Sequence, residues 1–392
     1  MTTPAPLQEP LADLAGAAPR AGWSVRGLSK WSTNLQCGTA AAAFAARVDL
    51  DRLLVGTDYQ VEFEQSPFMR SRGQMVEAKV RENGYAELIP ILRETLGFST
   101  TEVSARNLKQ GYPPNDRGLL LRATETRHII SEILRGDLTA PNILEGAVLE
   151  AHLGPYTARF EADAIGARLG PVLHGLEVKS WPVVDGRADD PGKAAEALRQ
   201  LGFYLFLLRL LVDDLGTDPD IVSSTGLLVT PRNVGLTPLV GSVRDLDREI
   251  AIAQATVDRL PDVRDYAHVP ASEGFGPVSA GGGLGVQERL DRLDALTDTF
   301  GTHYQTSCLT SCGNAKFCRA KLHASGDPSL CGQAIVRFLP RVPSLRRAAD
   351  LGAGAPPTDE ETTSGAAELL ARAGALYTER APESPPAVPG VA

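Results

Sequence analysis

The stretch "GLEVKSWPVV", residues 175–184, sets an acid and a lysine two positions apart in an apolar run. In an extended strand side chains alternate, so Glu177, Lys179 and Trp181 share one face while Val178 and Ser180 take the other. An isolated E-x-K of this kind is most often the solvated face of a half-exposed strand. Its neighbours decide otherwise. Two further strand-like runs precede it, "NILEGAVLEAHL" (142–153) and "YTARFEADAIGA" (156–167). Gly154-Pro155 and Gly170-Pro171 punctuate the three runs, a pattern that predicts a meander.

Asp163 falls late in the second run, ahead of the turn-prone Gly166, and far enough from Glu177 for one strand to turn and pair with the next. Two carboxylates at the ends of neighbouring strands can share a hard cation such as Mg²⁺ or Mn²⁺, with the Val178 carbonyl as a further oxygen donor. A lysine beside that cation, Lys179, can support an attacking water and the charge that builds on a phosphate.

Helical patterns flank these strands. "QCGTAAAAFAARVDLDRLL" (36–54), "SRGQMVEAKVRENGYAELIPILRETLG" (71–97) and "RGLLLRATETRHIISEIL" (117–134) each read as one helix. "PGKAAEALRQLGFYLFLLRLLVDDLG" (191–216) reads as a long helix with Pro191 in its first turn and Gly216 at its end. "IVSSTGLLVTP" and "GLTPLVG" read as strands, then "SVRDLDREIAIAQATVDRL" as a helix capped by Ser242. Gly73 and Glu77 lie one turn apart, so the glycine is expected to bring its helix close to the sheet and Glu77 to the cation. Gln200 and Tyr204, at i and i+4, share a face of the long helix and need polar partners. Arg70 and Arg72 stand where they can meet phosphates. His128, His152 and His174 have no metal-ligand spacing.

The ordered set G-x-x-x-E, D-x(13)-E-V-K and Q-x-x-x-Y resembles the PD-(D/E)XK nuclease superfamily of the RecB type over roughly residues 65–210. Many relatives carry histidine where this chain has Glu77. The resemblance implies an α/β, restriction-endonuclease-like core, a mixed central sheet flanked by helices. It implies metal-dependent hydrolysis of DNA, on linear or single-stranded ends, in repair or defence. Asp163 and Glu177 would hold the metal, Glu77 would complete its shell, Lys179 would assist the water, and Gln200 and Tyr204 would position the strand. DNA is the implied partner, with a helicase or other repair or defence proteins beside it. The alternative is an inactive or zinc-stabilised nuclease-fold protein that binds DNA or a partner.

The cysteines form a second constellation. "TSCLTSCGNAKFCRAKLHASGDPSLCG" (306–332) spaces four as C-x3-C-x5-C-x12-C, and Cys37 stands apart near the N-terminus. Closely spaced thiolates chelate soft metals, so Cys308, Cys312 and Cys318 point to one centre. Either a local Zn²⁺ site completed by Cys331 or a cluster completed from elsewhere satisfies that spacing. Iron–sulfur RecB-type nucleases, the CRISPR-associated exonuclease family among them, have one cysteine before the core and three after it. That resemblance implies a [4Fe-4S] cluster on Cys37, Cys308, Cys312 and Cys318 in a helical cap formed from both chain ends. The family's first late spacing is x2, whereas this chain has x3.

Bulk properties bound these expectations. The chain has 392 residues, 43% hydrophobic, and a net charge of −9, so no global basic field advertises nucleic-acid binding. Ala-, Pro- and Gly-rich residues 1–30 and 346–392 read as flexible tails around a domain at 31–345. The N-terminus lacks the pattern of a secretory signal, and the apolar run "LGFYLFLLRLLV" is too short to span a bilayer. A cytoplasmic protein with no membrane partner is expected. "EGFGPVSAGGGLG" (273–285) matches no dinucleotide or P-loop fingerprint.

Overall fold

A computed structural model describes residues 8–380 except 62–66, 98–102, 138, 155, 163, 167–171, 185–186 and 189–190. The N-terminal part is helical: α1 (Gln8–Ala15), α2 (Val25–Ser32), α3 (Gly38–Ala45), α4 (Leu50–Leu53), α5 (Pro67–Tyr85) and α6 (Leu88–Leu96). Strand β1 (Ala105–Asn107), helix α7 (Asp116–Leu134) and strands β2 (Ile143–Glu145) and β3 (Val148–Leu153) follow. Next come β4 (Tyr156–Glu161), β5 (Ala164–Gly166), β6 (His174–Val178), β7 (Val183–Val184) and β8 (Arg187–Ala188). Helix α8 (Pro191–Asp214) leads to β9 (Thr225–Pro231), β10 (Leu239–Asp245) and α9 (Asp247–Val257). The C-terminal part holds α10 (Val286–Phe300), α11 (Cys308–Ser311), α12 (Ala315–Ser325), α13 (Gln333–Phe338), α14 (Leu345–Gly352), α15 (Asp359–Thr363) and α16 (Ala366–Arg380).

The fold is mixed α/β. Six strands form one sheet in the order β1-β2-β5-β6-β9-β10. The pairs β1–β2 and β6–β9 are parallel, and β2–β5, β5–β6 and β9–β10 are antiparallel. The meander is therefore split: β2 and β5 belong to the main sheet, while β3 and β4 leave it as a separate hairpin. Each of the two earlier strand-like runs contains two strands. Gly146, at φ +60°, supplies the turn inside the first.

The two faces of the sheet are covered by different helices. On one, Leu176, Leu227, Val229 and Ile143 pack with Val76 and Val80 of α5 and Leu88, Ile91 and Leu92 of α6. On the other lies α8, whose central residues Leu201, Phe203, Leu205, Phe206, Leu207 and Leu208 are all buried. A helix apolar on every side must be enclosed, and α8 contacts α2, α9, β3 and β6. That enclosure explains the apolar run at 201–212. Among the described residues no helix is long and apolar enough to cross a membrane.

Several expected boundaries move. The segment 71–97 holds two helices, because Asn83, Gly84 and Tyr85 have positive φ and end α5. Residues 36–54 break at Ala46 into α3 and α4, with Asp49 capping the second through its side chain. Ser242 is not an N-cap: it pairs with Leu228 inside β10, and α9 begins only after Leu246. Alternating side chains on an edge strand imitate a helix start there. The long helix 191–214 and α7, capped by Asn115, fall where the sequence places them.

Within the segments 1–30 and 346–392, read from composition as tails, the described residues 8–30 and 346–380 hold α1, the start of α2, and α14, α15 and α16. Leu14, Ala15 and Ala18 join Ala42, Ala43, Phe275, Leu293 and Phe317 in a second core, and Val342, Ala348, Leu351, Ala366 and Ala367 make a small one between α14 and α16. Alanine-rich helices bury little per residue, so their order rests on specific partners. Arg347 is the clearest, donating to both Glu361 oxygens at 2.8 and 2.6 Å while the Thr358 amide donates at 2.8 Å. Those hydrogen bonds, Arg347's first, bring the Glu361 carboxyl from an ordinary 4.5 to about 2. A depressed carboxyl stabilises the fold above its unfolded value and loses that contribution as pH falls through the folded one. The melting-temperature gap between wild type and Glu361→Gln is therefore expected to be full above pH about 4.5 and to close towards pH 2. A gap independent of pH would contradict this role.

Candidate active site and cysteine centre

At the end of β6 alternation works as the sequence predicts. Leu176 and Val178 face α5 and α6. The opposite face belongs to α8: a side chain on Gly175 would meet Leu201 at 2.7 Å. Glu177 lies on that side, 1% exposed, and is ion-paired with Lys179. The Lys179 ammonium also donates to Gln200 Oε1 of α8 at 3.4 Å, and its backbone amide donates to the Val229 carbonyl at 2.9 Å. Gln200 Nε2 donates to Glu196 Oε1 at 3.1 Å, and Arg26 of α2 approaches the same oxygen at 3.5 Å. Tyr204, one turn further along α8, is half-buried against the main core. Val178 closes β6, in register with Val229.

Asp163 lies outside the described residues. The register next to it is described: Ala164 pairs with Leu176, so the residues following Asp163 and preceding Glu177 in sequence are cross-strand partners.

Glu77 is placed differently from Glu177. It sits on α5, half-exposed, and accepts from Arg81 Nη2 at 3.1 Å. Arg81 Nε in turn donates to Glu145 Oε2 of β2 at 2.8 Å, and Asn107 Nδ2 donates to the same oxygen at 3.0 Å. Burial and the neighbouring Glu145 raise the Tyr85 hydroxyl far above its ordinary value. Glu145 shares a row with Ala164 and Leu176, hence the face opposite Glu177. The structure thus brings together Glu177, Lys179 and Gln200, and sets Glu77 with Arg81 and Glu145 across the sheet. Sequence reasoning missed Glu145. The signal that marked Glu177, a carboxylate in an apolar strand, was present in "NILEGAV" as well.

Two further expectations change. Gly73 does not mediate a close approach, since a side chain there would meet nothing within 4 Å. Arg72 is spent on protein carbonyls, donating to Ser180 at 2.8 Å, Val234 at 2.7 Å and Gly235 at 3.2 Å. It ties the start of α5 to the chain just beyond the E-x-K strand.

The cysteines gather from both chain ends. Cys37 precedes α3, whose first turn is stitched to the end of α10: Thr39 N and Oγ1 both donate to the Gly301 carbonyl, at 2.9 and 3.0 Å. Asn34 Nδ2 donates to the His303 carbonyl at 2.7 Å and to Cys308 Sγ at 3.3 Å. Gln305 donates to the Thr33 carbonyl. Cys37, Cys308, Cys312 and Cys318 consequently line a single cavity of about 790 Å³. Cys331 is not among its lining residues. It ends a short 3₁₀ turn, and its carbonyl accepts from His303 Nε2 at 2.8 Å.

Burial first and neighbouring cysteines second raise the Cys37, Cys312 and Cys318 thiols, Cys318 to about 12. No group of three or more His, Cys, Asp and Glu side chains that could hold a metal ion is drawn together among the described residues.

No family model matches the chain. No curated protein matches it either. A solved structure described as the crystal structure of SSO0001 is similar over 48% of this chain and 87% of its own, at 17% identity and a TM-score of 0.20. A likeness at that level carries no argument.

Proposed function

We propose that the chain is a metal-dependent nuclease that hydrolyses DNA phosphodiester bonds. The observation that carries this reading is the buried Glu177 carboxylate, ion-paired with Lys179 at the end of a strand whose neighbour begins just after Asp163. A buried carboxylate needs a cationic partner, and here the partner is a lysine that also reaches Gln200.

Asp163, Glu177 and the Val178 carbonyl are the residues proposed to hold Mg²⁺ or Mn²⁺. Such an ion supplies charge to the scissile phosphate and lowers the pKa of a water. Lys179, at the mouth of the pair, orients that water and donates to the phosphate oxygens as charge develops. Gln200 holds the ammonium by its carbonyl, and Tyr204 stands on the same helix face for the strand. Glu77 lies with Arg81 and Glu145 on the opposite face of the sheet and is not part of this proposed shell.

For the second centre, the reading assigns a [4Fe-4S] cluster to Cys37, Cys308, Cys312 and Cys318, two buried and two partly buried thiols that line one cavity without being drawn together. The zinc alternative requires Cys331, which stands outside that cavity. Arg20, Arg26, Lys30, Arg47 and Arg52 line the cavity with Asp49 and Asp51, a local excess of positive charge in which Lys30 is paired with Asp51 and Arg26 with Glu196. A local groove of that kind suits a flexible single strand better than a rigid duplex.

The test is a cleavage assay on anaerobically purified protein. Mn²⁺ should support degradation of end-labelled linear single strands, EDTA should stop it, and closed circular duplex should persist. Failure to cut any DNA with Mn²⁺ or Mg²⁺ would overturn the reading, and rapid cutting of closed circles would replace end-directed attack with endonuclease action.

A further inference from the structure

We propose that Glu196 is a positioning residue for the catalytic lysine, acting through the Gln200 amide. The inference rests on the nuclease reading. Gln200 stands between a group that only accepts and a group that only donates: Glu196 Oε1 at 3.1 Å and Lys179 Nζ at 3.4 Å. A carboxylate has no proton to give and an ammonium has no lone pair, so only one orientation of the amide satisfies both. The amino group must face Glu196 and the carbonyl must face Lys179. Rotating the amide by half a turn would aim an N–H at an ammonium and an oxygen at a carboxylate, two repulsive contacts in place of two attractive ones.

Position along α8 makes this arrangement possible. Glu196 and Gln200 are i and i+4, so their side chains lie on one face of the helix. Glu196 is the outer member, its side chain 42% exposed, and Arg26 of α2 at 3.5 Å holds its charge in place. Lys179 is the inner member, 24% exposed and paired to the buried Glu177. The amide thus passes the orientation of a surface carboxylate inward to the reacting centre. With the carbonyl fixed, Glu177 and Gln200 hold the Lys179 ammonium from two directions. Without Glu196 only the contact to Lys179 orients the amide, so the carbonyl is held less firmly against the ammonium.

This mechanism makes Glu196 act on turnover, not on binding. Glu196→Ala should lower kcat on an end-labelled single-stranded oligonucleotide with Mn²⁺ by about tenfold and leave KM within about twofold. Glu196→Gln retains an acceptor for the Gln200 amino group, so it should recover most of the lost kcat. In a Gln200→Ala background, Glu196→Ala should cost nothing further, because the group it orients is gone. A purely structural role predicts instead that both Glu196 variants lower the melting temperature and kcat together.

Wild-type kcat in Glu196→Ala would overturn the inference, as would no recovery in Glu196→Gln or a full additional loss in the double variant. These outcomes are separable from failure of the nuclease reading. That reading fails if wild type does not cut or if Lys179→Ala cuts normally, and the inference then falls with it. If wild type cuts and Lys179→Ala does not, the Glu196 series alone decides.

Discussion

Lys179→Ala is expected to slow DNA cleavage by about 10²–10³-fold, the usual cost of removing one preorganised donor from a developing oxyanion. Glu177→Ala should reduce cleavage to background, since it removes a proposed metal ligand and the ion-pair partner of Lys179. The two changes differ in their effect on the fold. Glu177 is 1% exposed, so deleting its lysine removes an ion-pair partner from a buried carboxylate, a change that typically costs about 3–5 kcal/mol. Lys179→Ala should therefore lower the melting temperature as well as the rate. Lys179→Gln separates the effects, because its amide can still donate to Glu177 while its positive charge is lost. A stable, inactive Lys179→Gln is the expected result. Full activity in that variant would remove Lys179 from the chemistry and leave the ion pair a structural one.

Cys37→Ser is expected to bleach a brown protein, lower its iron content and destabilise it, whereas Cys331→Ser should leave colour and iron nearly unchanged. The expectation follows from the cavity, which Cys37, Cys308, Cys312 and Cys318 line and Cys331 does not. A hydroxyl cannot replace a coordinated thiolate without weakening the centre. Loss of the centre should also loosen the N-terminal segment, although Asn34, Thr39 and Gln305 would still tie it to residues 301–305. Destabilisation should consequently be partial, visible as early proteolysis of the first helices and not as global unfolding. A colourless wild type that loses zinc on Cys331→Ser would establish the local zinc set instead. Colour kept in Cys37→Ser and lost in Cys331→Ser would retain the cluster and exchange its fourth ligand.

Much of this arrangement was legible in the chain itself. Period-2 alternation around Glu177 placed the acid and the lysine on one face of a strand, because side-chain direction in a strand is a local property. The i, i+4 spacing of Gln200 and Tyr204 placed both on one face of α8 for the same kind of reason. The grouping of Cys308, Cys312 and Cys318 also followed from short separation along the chain.

What the sequence could not decide was every relation between residues far apart in it. Glu77 and Glu177 each have the right local setting, yet α5 packs against the face holding Leu176 and α8 against the face holding Glu177. Which face a helix covers depends on where its apolar stripe finds a partner. The composition of 8–30 and 346–380 suggested tails because it counts apolar residues and not their partners. Leu14 against Phe275, and Arg347 against Glu361, supply the burial and pairing that composition cannot see. Likewise, that Cys37 lines one cavity with Cys308, Cys312 and Cys318 depends on the stitching of residues 33–39 to 301–311, hydrogen bonds between segments from opposite ends of the chain. Local periodicity determined the faces; tertiary packing determined which faces meet, because burial and hydrogen-bond pairing are satisfied only in three dimensions.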